Sequence, residues 1–387
     1  MALFNYFPNY VWNLSVAIAL ESGAQIGEIM DMCQPLLERA EGGEDAGTAD
    51  FMQSWIKEAD KLAGLAKEDE EAGHRFSAAD KQKRAALYYL VGERMQGHGH
   101  PGRAETYRKG VDAFMSSIEN AKENCERVEF PYQGKTLSGY FTRAEGVTGP
   151  APCVLYLNGL DSNKEMLYWS QLPHELARRG ISCLCLDQPG TGESLRLNGF
   201  PADPISENWG TPAYEYLASR DDVDAERIGI TGISLGGYYA PRVCANEPRF
   251  AAGACWGANH NWAEVQHKRL KREGENPVPH YWNHVQWVFG ADDMESFFKK
   301  ADLMCLDGEM EKIRVPFLVT HGIGDRQISV DYAHTAYDQL INSPKRALKL
   351  FTEREGGVEH VGADNMSFGR HYIADWFADT LGGHAKP

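Results

Sequence analysis

Positive charge is scarce in this chain: 39 Lys and Arg stand against 55 Asp and Glu, a formal net charge of −16. That deficit argues against nucleic acid and anionic membranes as partners. Much of the acid falls in Glu38–Asp50 and Glu68–Glu71, runs that read as solvated helix ends or loops serving solubility. Membrane-spanning apolar runs are also missing. The first apolar stretch is interrupted by Asn13 and Ser15 and has no basic region before it, so neither a signal peptide nor a span is expected. The eight cysteines are scattered, with Cys183 and Cys185 two apart on one face of an expected buried strand; free thiols in a reducing, cytoplasmic compartment are the simplest account. Internal repeats, low-complexity tracts and a phosphate-binding loop are absent. The histidines make no metal pattern: His98-Gly99-His100 runs into Pro101 as a loop, and His280 and His284 share a helical face without a matching acid. No metal and no organic cofactor is expected.

Runs of β-branched residues are lacking too, but only over residues 1–125. That region reads as helices at Trp12–Leu20, Ile26–Ala40, Ala49–Lys67, Ala78–Gln96 and Arg103–Lys122. The period then changes. Glu126–Phe130 and Leu137–Phe141 alternate like strands around Gln133-Gly134-Lys135, and this hairpin opens a second domain, 126–387. With 43% hydrophobic residues the chain can bury a sizeable core, and its length exceeds one bare catalytic domain of roughly 250 to 300 residues.

The chemistry is carried by Gly232-Ile233-Ser234-Leu235-Gly236, which follows the apolar run Ile228–Thr231 and precedes a segment able to form a helix. A serine on so tight a strand-to-helix turn is strained and stands clear of its backbone, which requires glycines two before and two after it. Context supports the motif. The strand pattern Val315–Thr320 ends in His321-Gly322-Ile323-Gly324-Asp325, which makes Asp325 the candidate acid. The run Ala347–Phe351 leads through Gly356-Gly357 to His360, the candidate base, ahead of an amphipathic helix at Tyr372–Leu381. Serine, aspartate, histidine is the chain order of α/β-hydrolases. Alternatives stay open: Asp325 as a cap for the helix at Tyr332–Leu340, where Asp331 is equally well placed, and His371 as the base. His321 is expected to satisfy backbone groups.

The loop after the strand Cys153–Leu157 reads Asn158-Gly159-Leu160-Asp161-Ser162-Asn163-Lys164-Glu165. The backbone N–H groups of Leu160 and Leu235 are the expected oxyanion donors. The strand Ile181–Leu186 ends in Asp187-Gln188-Pro189-Gly190-Thr191-Gly192-Glu193-Ser194, a turn-rich stretch in which Asp187 is expected to be structural. Pro241 falls about two turns into the elbow helix and should cost it a hydrogen bond and kink its axis.

These motifs, N-G-L-D-S-N-K-E, D-Q-P-G-T-G-E-S, G-I-S-L-G-G-Y-Y-A and A-C-W-G-A-N, resemble those of the serine hydrolases grouped with 2,6-dihydroxypseudooxynicotine hydrolase. That group takes in fungal heptaketide-shortening enzymes and esterases of the fermentation-respiration-switch type, and the similarity runs from about residue 75 to the end. It implies an α/β-hydrolase fold, a mostly parallel sheet flanked by helices, with Ser234, Asp325 and His360 as triad and the Leu160 and Leu235 amides as oxyanion hole. It also implies an active-site acid at Asp161, where the nicotine enzyme has glutamate. The implied activity is hydrolysis at a carbonyl carbon, favouring carbon–carbon cleavage of an acyl-aromatic or β-diketone compound. A carboxylesterase and a non-catalytic ligand-binding fold are the alternatives.

Between the strand Ala251–Trp256 and Val315 the chain is rich in aromatics and histidines and fits a helical lid, about 259–312. Trp256, His260, Trp262, Tyr281 and Trp282 are candidate substrate-binding residues for an aromatic or bulky apolar small molecule. Core packing explains the same aromatics equally well. Phe4-Asn5-Tyr6-Phe7, Trp12 and the helices after them motivate a further expectation: that residues 1–125 help wall the pocket and join a homodimer.

Overall fold

The computed structural model describes residues 6–7, 10–37, 39, 49–272 and 280–383. Phe4, Asn5 and most of the acidic run Glu38–Asp50 lie outside them. The chain divides into two compact units, one of Ala2–Cys125 with Gly274–Val285, the other of Glu126–Glu273 with Gln286–Pro387.

In the first unit the helices are α1 (Tyr10–Glu21), α2 (Ile26–Cys33), α3 (Ala49–Glu71), α4 (Arg75–Arg94) and α5 (Arg103–Ala121). The second is shorter than its apolar pattern predicts. Pro35 lacks the N–H that would continue the ladder, and the chain tightens into a 3₁₀ turn at Gln34–Leu36. A run of rings forms the core: Phe7 on Trp12 at 4.7 Å, Trp12 on Phe51 at 5.1 Å, Phe51 on Trp55 at 5.4 Å and Trp55 on Tyr88 at 5.7 Å. The buried Arg103–Glu93 pair, 2.7 Å apart, ties α5 to the end of α4.

The second unit is built on one eight-stranded sheet in the order β1-β2-β4-β3-β5-β6-β7-β8. The strands are β1 (Glu126–Tyr132), β2 (Lys135–Thr142), β3 (Ala151–Leu157), β4 (Ser182–Leu186), β5 (Val223–Ile233), β6 (Ala252–Trp256), β7 (Phe317–Gly322) and β8 (Arg346–Phe351). β1 and β2 form the expected hairpin; Gln133 and Gly134 both adopt positive φ, as a two-residue turn matching strand twist requires. β2 pairs antiparallel with β4, and the rest pair parallel. β3 and β4 are buried along their whole length, hence their unbroken apolar runs.

The connecting helices are α6 (Lys164–Trp169), α7 (Leu172–Arg178), α8 (Gly192–Arg196), α9 (Glu207–Ala218) and α10 (Gly236–Asn246). Then come α11 (Trp262–Lys271), α12 (Tyr281–Val288), α13 (Met294–Ala301), α14 (Asp331–Gln339) and the closing α15 (Met366–Leu381). α10 contains Pro241 and still runs unbroken to Asn246. All eight cysteines are free thiols. Among the described residues no helix is long and apolar enough to cross a membrane.

Parallel pairing aligns the strand ends that matter: Leu157 lies opposite Gly232, Ile233 opposite Trp256, and Gly322 opposite Phe351. The loops after β3, β5, β6, β7 and β8 therefore leave from one edge, the carboxyl edge where open α/β sheets hold their sites.

Candidate active site

Ser234 adopts φ 57°, left-handed for a residue with a side chain, between the end of β5 and the start of α10. Two bonds hold it there: its N–H donates to the Trp256 carbonyl at 2.9 Å, and its carbonyl accepts from Gly237 at 2.8 Å. The glycines are forced by contact. A Cβ on Gly232 would lie 2.3 Å from the Gly236 carbonyl oxygen, and one on Gly236 would lie 2.8 Å from that of Leu157. Gly237, which the motif leaves open, is tighter still, at 1.8 Å from the Gly257 carbonyl oxygen.

The Ser234 Oγ lies 2.8 Å from His360 Nε2, and His360 Nδ1 lies 2.8 Å from Asp325 Oδ2. An ionised carboxylate only accepts, so Nδ1 carries the ring proton and Nε2 is left to accept from the serine hydroxyl. Asp325 Oδ1 accepts the N–H groups of Gln327 at 2.8 Å and Ile328 at 3.0 Å. Its side chain is 1% exposed. Burial pushes the carboxyl up, but His360 beside it outweighs burial and holds it below the usual carboxylate range. α14 begins only at Asp331, so the cap reading of Asp325 does not match its bonds.

His321 and His371 are placed elsewhere. The Ala258 N–H donates to His321 Nδ1 at 3.0 Å, and His321 Nε2 donates to the Ile328 carbonyl at 3.0 Å, so both ring nitrogens serve backbone groups. Burial lowers its pKa, keeping the ring neutral 3.7 Å from Asp325. His371 is half exposed on α15, 3.6 Å from Glu175.

The His360 loop is braced by residues that sequence reasoning missed. Asp364 accepts the N–H groups of Gly357, Val358 and Glu359 at 2.9, 3.2 and 2.9 Å. Arg326, one past the acid, makes a bidentate bridge of 3.1 and 2.9 Å to Glu359, one before the base. Val361 sits at φ 50°, costly for a β-branched residue, so the loop around His360 is held in a strained form. The only signal in the sequence was the charge flanking Asp325 and His360, which spacing alone does not pair.

On the other side of Ser234, a Cβ built on Gly159 would lie 3.0 Å from the serine Cβ, so the loop after β3 passes directly over the elbow. The Gly159 N–H is consumed by the Ser162 hydroxyl at 2.9 Å. Among the described residues the N–H groups of Leu160 and Leu235 have no protein acceptor. Leu235 opens α10, where the helix dipole favours negative charge. Asp161 is half-buried beside Leu160. The cap of α6 is Asn163, whose side chain accepts from Met166 at 3.0 Å, and not Asp161.

The candidate substrate-binding aromatics divide. Trp256 is 1% exposed, and its indole lies against Gly369 of α15, which accounts for it as core. Trp262 stacks on Phe289 at 5.1 Å and meets Phe297 edge-on at 5.9 Å, so the insertion has its own aromatic core. His260 is buried with Nε2 3.0 Å from Asp307. Tyr281 and Trp282, half-buried and edge-to-face at 5.1 Å, group with the first unit and not with the sheet. Their helix is divided between the units, residues up to Val285 grouping with the first and Gln286–Val288 with the second.

Comparison with known proteins agrees with this architecture. A family model described as "Esterase FrsA-like" matches residues 50–274, and a prolyl oligopeptidase family model matches residues 211–384. 2,6-Dihydropseudooxynicotine hydrolase of Paenarthrobacter nicotinovorans is 27% identical over 84% of this chain and 83% of its own. 20-Hydroxy-prefusarin hydrolase of Gibberella moniliformis is 24% identical over 93% of each. The crystal structure of 2,6-dihydroxy-pseudo-oxynicotine hydrolase superposes with a TM-score of 0.75 at 21% identity, covering 95% of both chains, a likeness of fold.

Proposed function

The chain belongs to the FrsA-like esterase family, and from that premise we propose that it is a serine hydrolase acting through Ser234, His360 and Asp325. The observation that carries this reading is the unbroken line of bonds, 2.8 Å from Ser234 to His360 and 2.8 Å from His360 to Asp325. His360 takes the hydroxyl proton as Ser234 Oγ attacks a carbonyl carbon, and Asp325 steadies the imidazolium. The Leu160 and Leu235 N–H groups stabilise the tetrahedral oxyanion. Collapse breaks the bond to the leaving atom, which takes a proton, and water then releases the acyl group from the serine. A non-catalytic fold has no use for a serine kept at φ 57°.

The leaving atom is proposed to be carbon, in a retro-Claisen cleavage of an acyl-aromatic, β-diketone or polyketide-like substrate. The motif resemblance to carbon–carbon hydrolases supports this, together with relatives named for pseudooxynicotine and prefusarin compounds. Carbon leaves poorly unless a neighbouring carbonyl or hydroxylated ring absorbs the electron pair and an acid supplies a proton. Asp161, beside Leu160 on the loop over Ser234, is the proposed acid. The family's esterase description favours the second reading, a carboxylesterase for bulky esters.

One variant separates the two readings. Asp161→Ala is expected to lose roughly a hundredfold in 1,3-diketone or acyl-phenol cleavage, little toward an activated ester, and nothing in melting temperature. Equal losses on both substrates with a lowered melting temperature would move the assignment to the esterase.

A further inference from the structure

The loop over the elbow, 158–164, has an anchor that the reaction scheme leaves unused. Asp187, at the end of β4, is fully buried. Its Oδ1 accepts the Lys164 backbone N–H at 2.7 Å and Asn158 Nδ2 at 3.3 Å. Its Oδ2 accepts Lys164 Nζ at 3.1 Å and the Glu193 N–H at 2.9 Å. One carboxylate thus holds the first and last residues of the loop. Lys164, also fully buried, reaches Glu165 at 2.9 Å and Glu193 at 3.2 Å. Glu193 takes two bonds from Arg127, at 3.0 and 2.9 Å, and one from Ser138 at 2.7 Å. Tyr140 donates to Glu165 at 2.9 Å. Burial pushes the Glu193 carboxyl up, but Lys164 and Arg127 overcome it and bring it down to about 2.

Inside the loop the anchor is passed on. Asn158 is fixed to the Leu186 carbonyl at 2.8 Å and exchanges bonds with Gln188 at 3.1 and 2.9 Å. Asn158 Oδ1 accepts the Ser162 hydroxyl at 2.7 Å, and the Ser162 oxygen accepts the Gly159 N–H at 2.9 Å. Ser162 therefore turns one amide of the loop inward and leaves the next one, that of Leu160, unused. A cluster of three carboxylates around the buried Lys164, closed by the partly exposed Arg127, adds little net stability over apolar packing. What it does supply is direction, and an oxyanion donor works only if fixed to within a few tenths of an ångström before the charge develops.

We propose that Asp187 and Ser162 are positioning residues for the oxyanion donor at Leu160, Asp187 by tying both ends of the loop and Ser162 by consuming the Gly159 amide. The proposal rests on the serine-hydrolase reading and sharpens one part of it. The test uses the full chain, 4-nitrophenyl butyrate as probe ester, phenylboronic acid as a tetrahedral mimic, and Ser162→Ala beside Ser162→Thr. Ser162→Ala is expected to lower kcat roughly ten- to a hundredfold with KM within about twofold and the protein still folded at the assay temperature. Phenylboronic acid should weaken by the same factor as kcat, and Ser162→Thr should restore most of both. Asp187→Asn should show the same split if it folds; if it does not, the Ser162 pair decides. An unchanged kcat, a loss confined to KM, or a loss that threonine does not repair would overturn the proposal. Full turnover by Ser234→Ala would instead remove the serine-hydrolase reading, so the two failures are distinguishable.

Discussion

The two loops that face Ser234 are mounted in different ways. The loop 158–164 is fixed from behind by buried charge, with Asp187 and Lys164 both at 0% exposure. The His360 loop is fixed from within, by Asp364 folding back on three of its own N–H groups, and from outside by a bridge whose arginine is half exposed. Buried ion pairs are scarcely screened by salt, whereas an exposed bridge contributes little and is screened readily. The difference fits the tasks proposed for the two loops. An oxyanion donor acts by not moving, so its support is rigid and buried. The imidazole must give and take a proton while keeping its orientation. Its strain at Val361 and its local carboxylate turn hold it in register without burying it in a charged cluster.

The comparison breaks most completely on the histidine side at Asp325, because among the described residues no second carboxylate bonds His360. Asp325→Asn, which leaves the shape intact but presents the wrong hydrogen-bonding partner to Nδ1, is expected to cost on the order of 10⁴ in kcat. Steady-state kinetics on an activated ester checks this, and a loss below tenfold would show that the acid lies elsewhere. A smaller effect sharpens the comparison. Asp364→Asn removes the charge that collects three N–H groups and should cost about 2 kcal/mol of stability. It should also lower kcat several-fold, because the loop carrying His360 loosens. Denaturant unfolding with parallel kinetics measures both; unchanged kcat at reduced stability would make Asp364 a purely structural brace.

What was legible in the sequence was local. The elbow could be read because a serine at positive φ forces glycines at fixed offsets, and the candidate acid and base, which the structure brings beside it, could be located because each follows an apolar run that ends in a loop. The hairpin was legible from Gln133-Gly134, and the start of α5 from the helical pattern that opens at Arg103. Apart from the local turn at Asp364, the supports were not legible, since they join residues far apart in the chain. Asp187 meets Lys164 and Asn158, and Arg326 meets Glu359, pairs that exist only once the strands are in register, whereas the backbone-serving role of His321 was expected. The aromatics misled for a related reason: composition marks Trp262, Tyr281 and Trp282 as a group, but Trp262 packs with Phe289 and Phe297, while the other two go with the helical unit. Asn163, and not Asp161, caps α6; both residue types make good caps, and only geometry separates them.

The most direct test of the central claim is to react the full chain with a fluorophosphonate and locate the adduct by peptide mass spectrometry. The account predicts a single phosphonylated site at Ser234, formed quickly in the wild type and lost in His360→Ala and Asp325→Asn. No labelling, or labelling at another serine while Ser234 stays unmodified, would contradict it.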